Sequence, residues 1–173
     1  GGEQSLRRAE AAILGGKMTL DPSFAHIGPS GARMVDVGEK EITARGAVAR
    51  ARIRVGEKVA SAIAADAVAK GRVLDVARIA GIQAAKRTAD LIPLCHPLAL
   101  DLASVDLSLE GGTVHVRAEV RCRARTGVEM EALAAAAVAA LTVYDMCKSL
   151  DRGMIVEAIF LEEKWGGKSG PFR

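Results

Sequence analysis

From Arg45 onward the chain alternates strictly, with Ala47, Ala49, Ala51, Ile53 and Val55 on one side and Arg50, Arg52 and Arg54 on the other. A period of two with one apolar and one charged side predicts a strand that buries one face. Two later runs share that period. Ala103, Val105, Leu107 and Leu109 lead into Gly111-Gly112, and Val114, Val116, Ala118, Val120 and Cys122 continue the apolar side, as a hairpin with a glycine turn requires. Between the first strand and the hairpin, residues 57–68 and 72–89 carry Ala, Val, Ile and Leu at helical spacing; Lys70-Gly71 separates them and Pro93 limits the second. Residues 127–150 have the strongest helical pattern, rich in Ala, Leu and Met with no Pro or Gly after Gly127, and residues 154–161 supply a last strand.

The order strand, helical crossover, strand, strand, helix, strand predicts the α+β class: a ferredoxin-like βαββαβ sandwich, an antiparallel sheet with helices on one face. The open face would present Arg50, Arg52, Arg54, Glu119, Arg121 and their neighbours, either to solvent or to a polar subunit interface. Ahead of this pattern, residues 4–14 predict a short helix. Residues 15–40 contain Gly, Pro and Ser without a sustained apolar period and predict an extended arm. The expected organisation is an N-terminal extension over 1–23 and a single domain over 24–173.

Composition changes this picture little. A chain of 173 residues, 50% hydrophobic and 26% charged, can bury a core without disulfides or a structural metal. The net charge of +3 is a small difference between 24 basic and 21 acidic residues, so no nucleic-acid partner is expected. Cys95, Cys122 and Cys147 are odd in number and lack a CxxC arrangement, which points to a reducing, cytoplasmic setting and no zinc site. No uniformly apolar run of about 18 residues stands out, so no membrane partner is expected.

Candidate chemistry sits in four places. Leu94-Cys95-His96-Pro97 holds an imidazole in a loop bounded by Pro93 and Pro97, a rigid placement suited to acid/base work or ligand binding. Thr126-Gly127-Val128-Glu129 has the form of a capping box, which gives Glu129 a structural role and leaves Glu131 as the freer carboxylate. Asp145 and Lys148 are three residues apart on one helix face, where Asp145 could orient Lys148 or itself take a proton. Gly166-Gly167-Lys168-Ser169-Gly170 is half of a phosphate loop; it lacks a Gly at position 162 and a following helix, so it is no Walker A site, but it could close Lys164 and Lys168 over a phosphorylated ligand. Glu131 and Asp145 are separated by fourteen residues, about 21 Å along a helix. They cannot act on one atom: they serve opposite ends of a long ligand or two sites shared between subunits.

Taken together, Met34-Val35-Asp36-Val37, the run Ala77-Arg78-Ile79-Ala80-Gly81-Ile82-Gln83-Ala84-Ala85-Lys86-Arg87-Thr88, Leu91-Ile92-Pro93-Leu94-Cys95-His96-Pro97, Thr126-Gly127-Val128-Glu129-Met130-Glu131, Tyr144-Asp145-Met146-Cys147-Lys148 and Gly166-Gly167-Lys168-Ser169-Gly170 resemble the MoaC family over residues 24–173. The resemblance implies a lyase of molybdenum cofactor biosynthesis. Its substrate would be 3′,8-cyclo-7,8-dihydro-GTP, delivered by a radical SAM GTP cyclase acting one step earlier, and its products cyclic pyranopterin monophosphate and pyrophosphate. It also implies a homohexamer, a dimer of trimers with sites at subunit interfaces. No tightly bound cofactor or protein-held metal is implied; any Mg²⁺ would arrive with the substrate triphosphate. Carried over by motif, the catalytic pair falls on Asp145 and Lys148. Substrate binding falls on Leu94, Cys95, His96, Met130, Glu131, Lys70 and Lys164, and on Lys40, Arg45 and Lys168 toward the triphosphate. Trp165, before the Gly-Gly pair, departs from the small residue more usual there, and Arg72 follows Gly71 where an Asp is expected. The competing reading is a non-catalytic nucleotide-binding regulatory module, since the same fold serves many such roles.

Overall fold

The computed structural model describes residues 27–28, 31–168 and 170–173. The expected helix over 4–14 and most of the arm lie outside the described residues. The chain divides between Val35 and Asp36 into two units. In the first, β1 (Ile27–Gly28) and β2 (Gly31–Ala32) pair antiparallel. The second unit runs β3 (Thr43–Arg54), α1 (Gly56–Ala64), α2 (Val73–Lys86), α3 (Thr88–Leu91), β4 (Leu102–Glu110), β5 (Thr113–Ala124), α4 (Glu129–Cys147) and β6 (Ile155–Trp165).

Its sheet has the order β4-β5-β3-β6 with every neighbouring pair antiparallel, the α+β architecture that the pattern predicts. Alternation sets the faces. Ala47, Ala49, Ala51 and Ile53 of β3 meet Val105 of β4 and Val114, Val116, Ala118 and Val120 of β5 in one buried cluster with the helices. Gly111 and Gly112 take positive φ at the hairpin turn, and the Gly112 carbonyl accepts from the Val55 and Gly56 N–H groups at 2.8 and 3.0 Å, tying the turn to the end of β3. β6 reaches four residues beyond its expected end at 161. Two bulges place Glu157 and Glu162 out of register with β3, and these carboxylates pair with Arg54 and Arg50, each at 2.8 Å. On the same open face Glu119 lies between Arg117 and Arg121. Its partial burial opposes ionisation, but hydrogen bonds from Arg121 and Arg117 outweigh it and hold the carboxyl below its usual range.

α4 is the element around which the helical layer forms. Ala132, Ala135, Ala136, Ala139 and Ala140 are all fully buried, so its backbone approaches both the sheet and α2 closely. The helix is long and apolar enough to cross a membrane by length and composition, and half of that stretch is buried within the domain. Gly81 of α2 is the contact point: a Cβ there would lie 2.9 Å from the Ala135 carbonyl and 3.1 Å from a Val105 methyl. The expected helix over 72–89 breaks at Arg87 (φ −119°). The buried Thr88 hydroxyl bonds the Ala84 and Ala85 carbonyls at 3.1 Å each, and the chain restarts as α3. A Gly81→Val substitution should destabilise the fold by about 1–3 kcal/mol through overpacking, read as a lower urea midpoint at unchanged slope.

Candidate active site

The C-terminal end of α4 carries the first cluster. Asp145 sits in the last turn, and Lys148 follows as the capping residue with its N–H on the Tyr144 carbonyl at 2.9 Å. Lys70 arrives from the turn before α2. That turn is closed by Gly71, whose φ of +97° favours glycine and whose N–H donates to the Val68 carbonyl at 2.9 Å. The Lys70 ammonium donates to the Asp145 carboxylate at 2.7 Å and to its backbone carbonyl at 2.9 Å, while Lys148 Nζ lies 2.7 Å from the other carboxylate oxygen. Two cations therefore converge where the helix dipole is negative. Hydrogen bonds from Lys148 and then Lys70 lower the Asp145 pKa to about 2. A carboxylate so acidic stays ionised, so of the two roles expected for Asp145 the geometry favours orienting its lysines over accepting a proton.

The second cluster surrounds the N-terminal end of α4, at a cavity of about 560 Å³ whose lining includes Lys40, Thr43, Arg45, Arg125, Glu129 and Lys168. Arg45 donates to the Ala124 carbonyl and Arg125 to the Lys40 carbonyl, both at 3.0 Å, which fixes the stems of two guanidinium groups beside the cavity. Gly166 and Gly167 allow the loop after β6 to lie against Ala44 and the Arg45 guanidinium, where any Cβ would collide. The Thr43 hydroxyl is buried and makes no hydrogen bond. An unmet hydroxyl in the wall of a cationic cavity is available to an incoming anion.

Here the expected capping box fails. α4 begins after Val128, which has no side-chain cap, and Glu129 instead pairs with Lys164 at 2.9 Å. The N-cap position therefore supplies no side-chain bond to the first turn, and the positive end of this 19-residue helix borders the cavity through Thr126, Gly127 and Glu129. Neither carboxylate is free: Glu129 is held by Lys164, and Glu131, expected to be the freer one, is buried. Glu131 is 4% exposed, and burial, opposed by its backbone hydrogen bond and reinforced by the Glu129 charge, pushes its pKa up. The loop after α3 brings Cys95 close to it, so burial and the Glu131 charge raise the thiol pKa. Leu94 and His96 are half-buried in that loop, and Met130 is exposed on α4. Among the described residues no three His, Cys, Asp or Glu side chains converge as a metal site requires.

Eight of the twelve predicted residues thus fall into two groups, with Leu94, Cys95, His96 and Met130 outside them. Lys70, Asp145 and Lys148 meet at one end of α4; Lys40, Arg45, Glu131, Lys164 and Lys168 gather toward the other, about 21 Å away along the axis. Thr43 and Arg125 went unnoticed in the sequence. Arg125 precedes the Thr126-Gly127 pair and could have been flagged by position, whereas an unmet hydroxyl has no sequence signal.

The MoaC family model matches residues 34–167. Proteins named cyclic pyranopterin monophosphate synthase are similar over most of the chain. The one from Parvibaculum lavamentivorans is 52% identical over 153 residues, 87% of this chain and 96% of the relative. That from Novosphingobium aromaticivorans is 55% identical over 151 residues, 87% and 96% respectively. That from Desulforapulum autotrophicum is 53% identical over 152 residues, 86% and 93%.

The Asp145 carboxyl should titrate at about 2 by NMR, against an ordinary value of 3.8, and should move up toward that value in Lys148→Ala and in Lys70→Ala. Because the folded value is depressed, the linked stability is present above the unfolded value and is lost as pH falls through the folded one.

Proposed function

Because the chain belongs to the MoaC family, we propose that it is a cyclic pyranopterin monophosphate synthase, a lyase of molybdenum cofactor biosynthesis. It converts 3′,8-cyclo-7,8-dihydro-GTP to cyclic pyranopterin monophosphate and releases pyrophosphate. The observation that carries this reading is the Lys70–Asp145–Lys148 cluster, standing within a chain 52–55% identical to three synthases.

Opening the imidazole-derived ring and closing a pyrazine ring requires proton transfers at nitrogen and oxygen. Asp145 holds both lysines in place, and Lys148 exchanges protons with the substrate. Closing the cyclic phosphate forms one P–O bond and breaks another, and the leaving pyrophosphate needs cations and N–H donors. Lys40, Arg45, Lys164 and Lys168, together with Arg125, Thr43 and the α4 N-terminus, supply them. Any Mg²⁺ comes with the triphosphate. Leu94, Cys95, His96, Met130 and Glu131 contact the base and sugar portion.

One chain cannot offer both clusters to the same small nucleotide across 21 Å of helix. The separation favours composite sites shared between subunits, and the resemblance to the MoaC family implies the assembly that would form them, a homohexamer built as a dimer of trimers. Val76 and Ile79 on α2 and Leu141 on α4 leave apolar surface exposed on the helical layer, as a subunit contact requires. We assign residues 24–173 to the catalytic domain and residues 1–23 to an N-terminal extension. Its substrate comes from a radical SAM GTP cyclase in the cytoplasm.

Incubated with 3′,8-cyclo-7,8-dihydro-GTP, the native protein should give cyclic pyranopterin monophosphate and pyrophosphate by mass spectrometry, and Lys148→Ala should be slower by about 10²–10⁴-fold. Thr43→Val should raise KM several-fold at nearly constant kcat. No product from folded, assembled protein would instead identify a nucleotide-binding regulatory module.

A further inference from the structure

Strand alternation sends neighbouring residues at the end of β6 to opposite faces. Lys164 points to the helical side, where Glu129 of α4 accepts from it at 2.9 Å. Trp165 lies on the open face. Across the sheet at this level the register reads Arg121 of β5, Gly46 of β3 and Trp165 of β6. Gly46 has no side chain to separate its neighbours. The indole ring covers its Cα so closely that any Cβ would collide with it, and the Arg121 guanidinium stands 5.9 Å from the ring centroid.

The residues around the ring are themselves fixed. Glu119 fixes Arg121 through an ion pair. Beyond Trp165 the chain folds back, so that the backbones of Lys164 and Phe172 exchange two hydrogen bonds at 3.0 Å, and Arg173 pairs with Glu163 at 3.0 Å. Gly166 and Gly167, both at positive φ, turn the chain between these anchors and carry Lys168 to the cavity.

We propose that Trp165, seated on Gly46 beneath Arg121, is a positioning residue: it clamps the end of β6 from the open face so that Lys164 and Lys168 meet the anionic part of the substrate on the other face. Without the ring, the last residues of an edge strand would keep their hydrogen bonds to β3 but lose the packing that fixes their twist. The cations would remain, but no longer preorganised toward the phosphate groups.

The anion-binding half of this proposal rests on the function given above; the positioning half does not. Two measurements on the full-length, assembled protein keep them apart. The first is amine labelling of Lys164 by an acylating reagent, quantified by mass spectrometry against the exposed Lys86. Trp165→Ala and Gly46→Ala should each raise Lys164 labelling about threefold or more, Trp165→Phe should restore the native level, and the Gly46→Ala/Trp165→Ala double variant should be no worse than either single one. The second is calorimetric titration with inorganic pyrophosphate, in which Trp165→Ala should bind about tenfold more weakly and Trp165→Phe as the native protein does. Lys164 labelling in folded Trp165→Ala equal to the native level, or equal loss in the Ala and Phe variants, overturns the proposal. Native protein that binds no pyrophosphate overturns the functional reading, while the labelling result still decides whether Trp165 positions Lys164.

Discussion

The rest of the structure depends on the stiffness and length of α4. It is an unbroken helix from Glu129 to Cys147, packed on the sheet and on α2 through alanines and Gly81. Because it neither kinks nor breaks, it holds the lysine–aspartate cluster and the anion cavity about 21 Å apart within one chain. Close packing is what keeps it straight. A larger residue at its contacts would push the helix off the sheet and move both ends together.

The two ends use the helix differently. At the C-terminal end the dipole is negative, and Lys70 and Lys148 gather there around Asp145, whose own carbonyl and carboxylate both accept from Lys70. At the N-terminal end the dipole is positive and the N-cap residue offers no side-chain cap; Glu129 turns to Lys164 instead, at the border of a cavity lined by arginines and lysines. In the function proposed above, one end moves protons and the other holds negative charge. A reaction that rearranges a ring and expels pyrophosphate needs both.

The fold was legible because its signals are periodic: the alternation of β3, the glycine turn between β4 and β5 and the alanine-rich run of α4 each name an element by its own pattern. The end of the second crossover helix was not, because Thr88 takes the carbonyls of Ala84 and Ala85 and diverts the chain, a competition that hydrophobic spacing does not register. Asp145 and Lys148 could be paired from their spacing, but Lys70, 75 positions before Asp145, was joined to them only through the resemblance. The capping box misled for a related reason. Its Glu met a lysine 35 positions away, and a tertiary ion pair outweighed the local hydrogen bond. Side chains whose role is set by a distant strand, such as Thr43 and Arg125, are the ones a linear reading misses.

The central claim is that each working site joins the lysine–aspartate end of one α4 to the anion-binding end of another. Subunit complementation tests it most directly. Lys148→Ala and Lys164→Ala variants, each of low activity alone, are dissociated, mixed in equal amounts and reassembled. Composite sites predict that the mixture regains about a quarter of native activity, the share of sites that random assortment leaves with both lysines. A mixture no more active than its parents would show that both lysines of a site come from one chain, and would contradict the account.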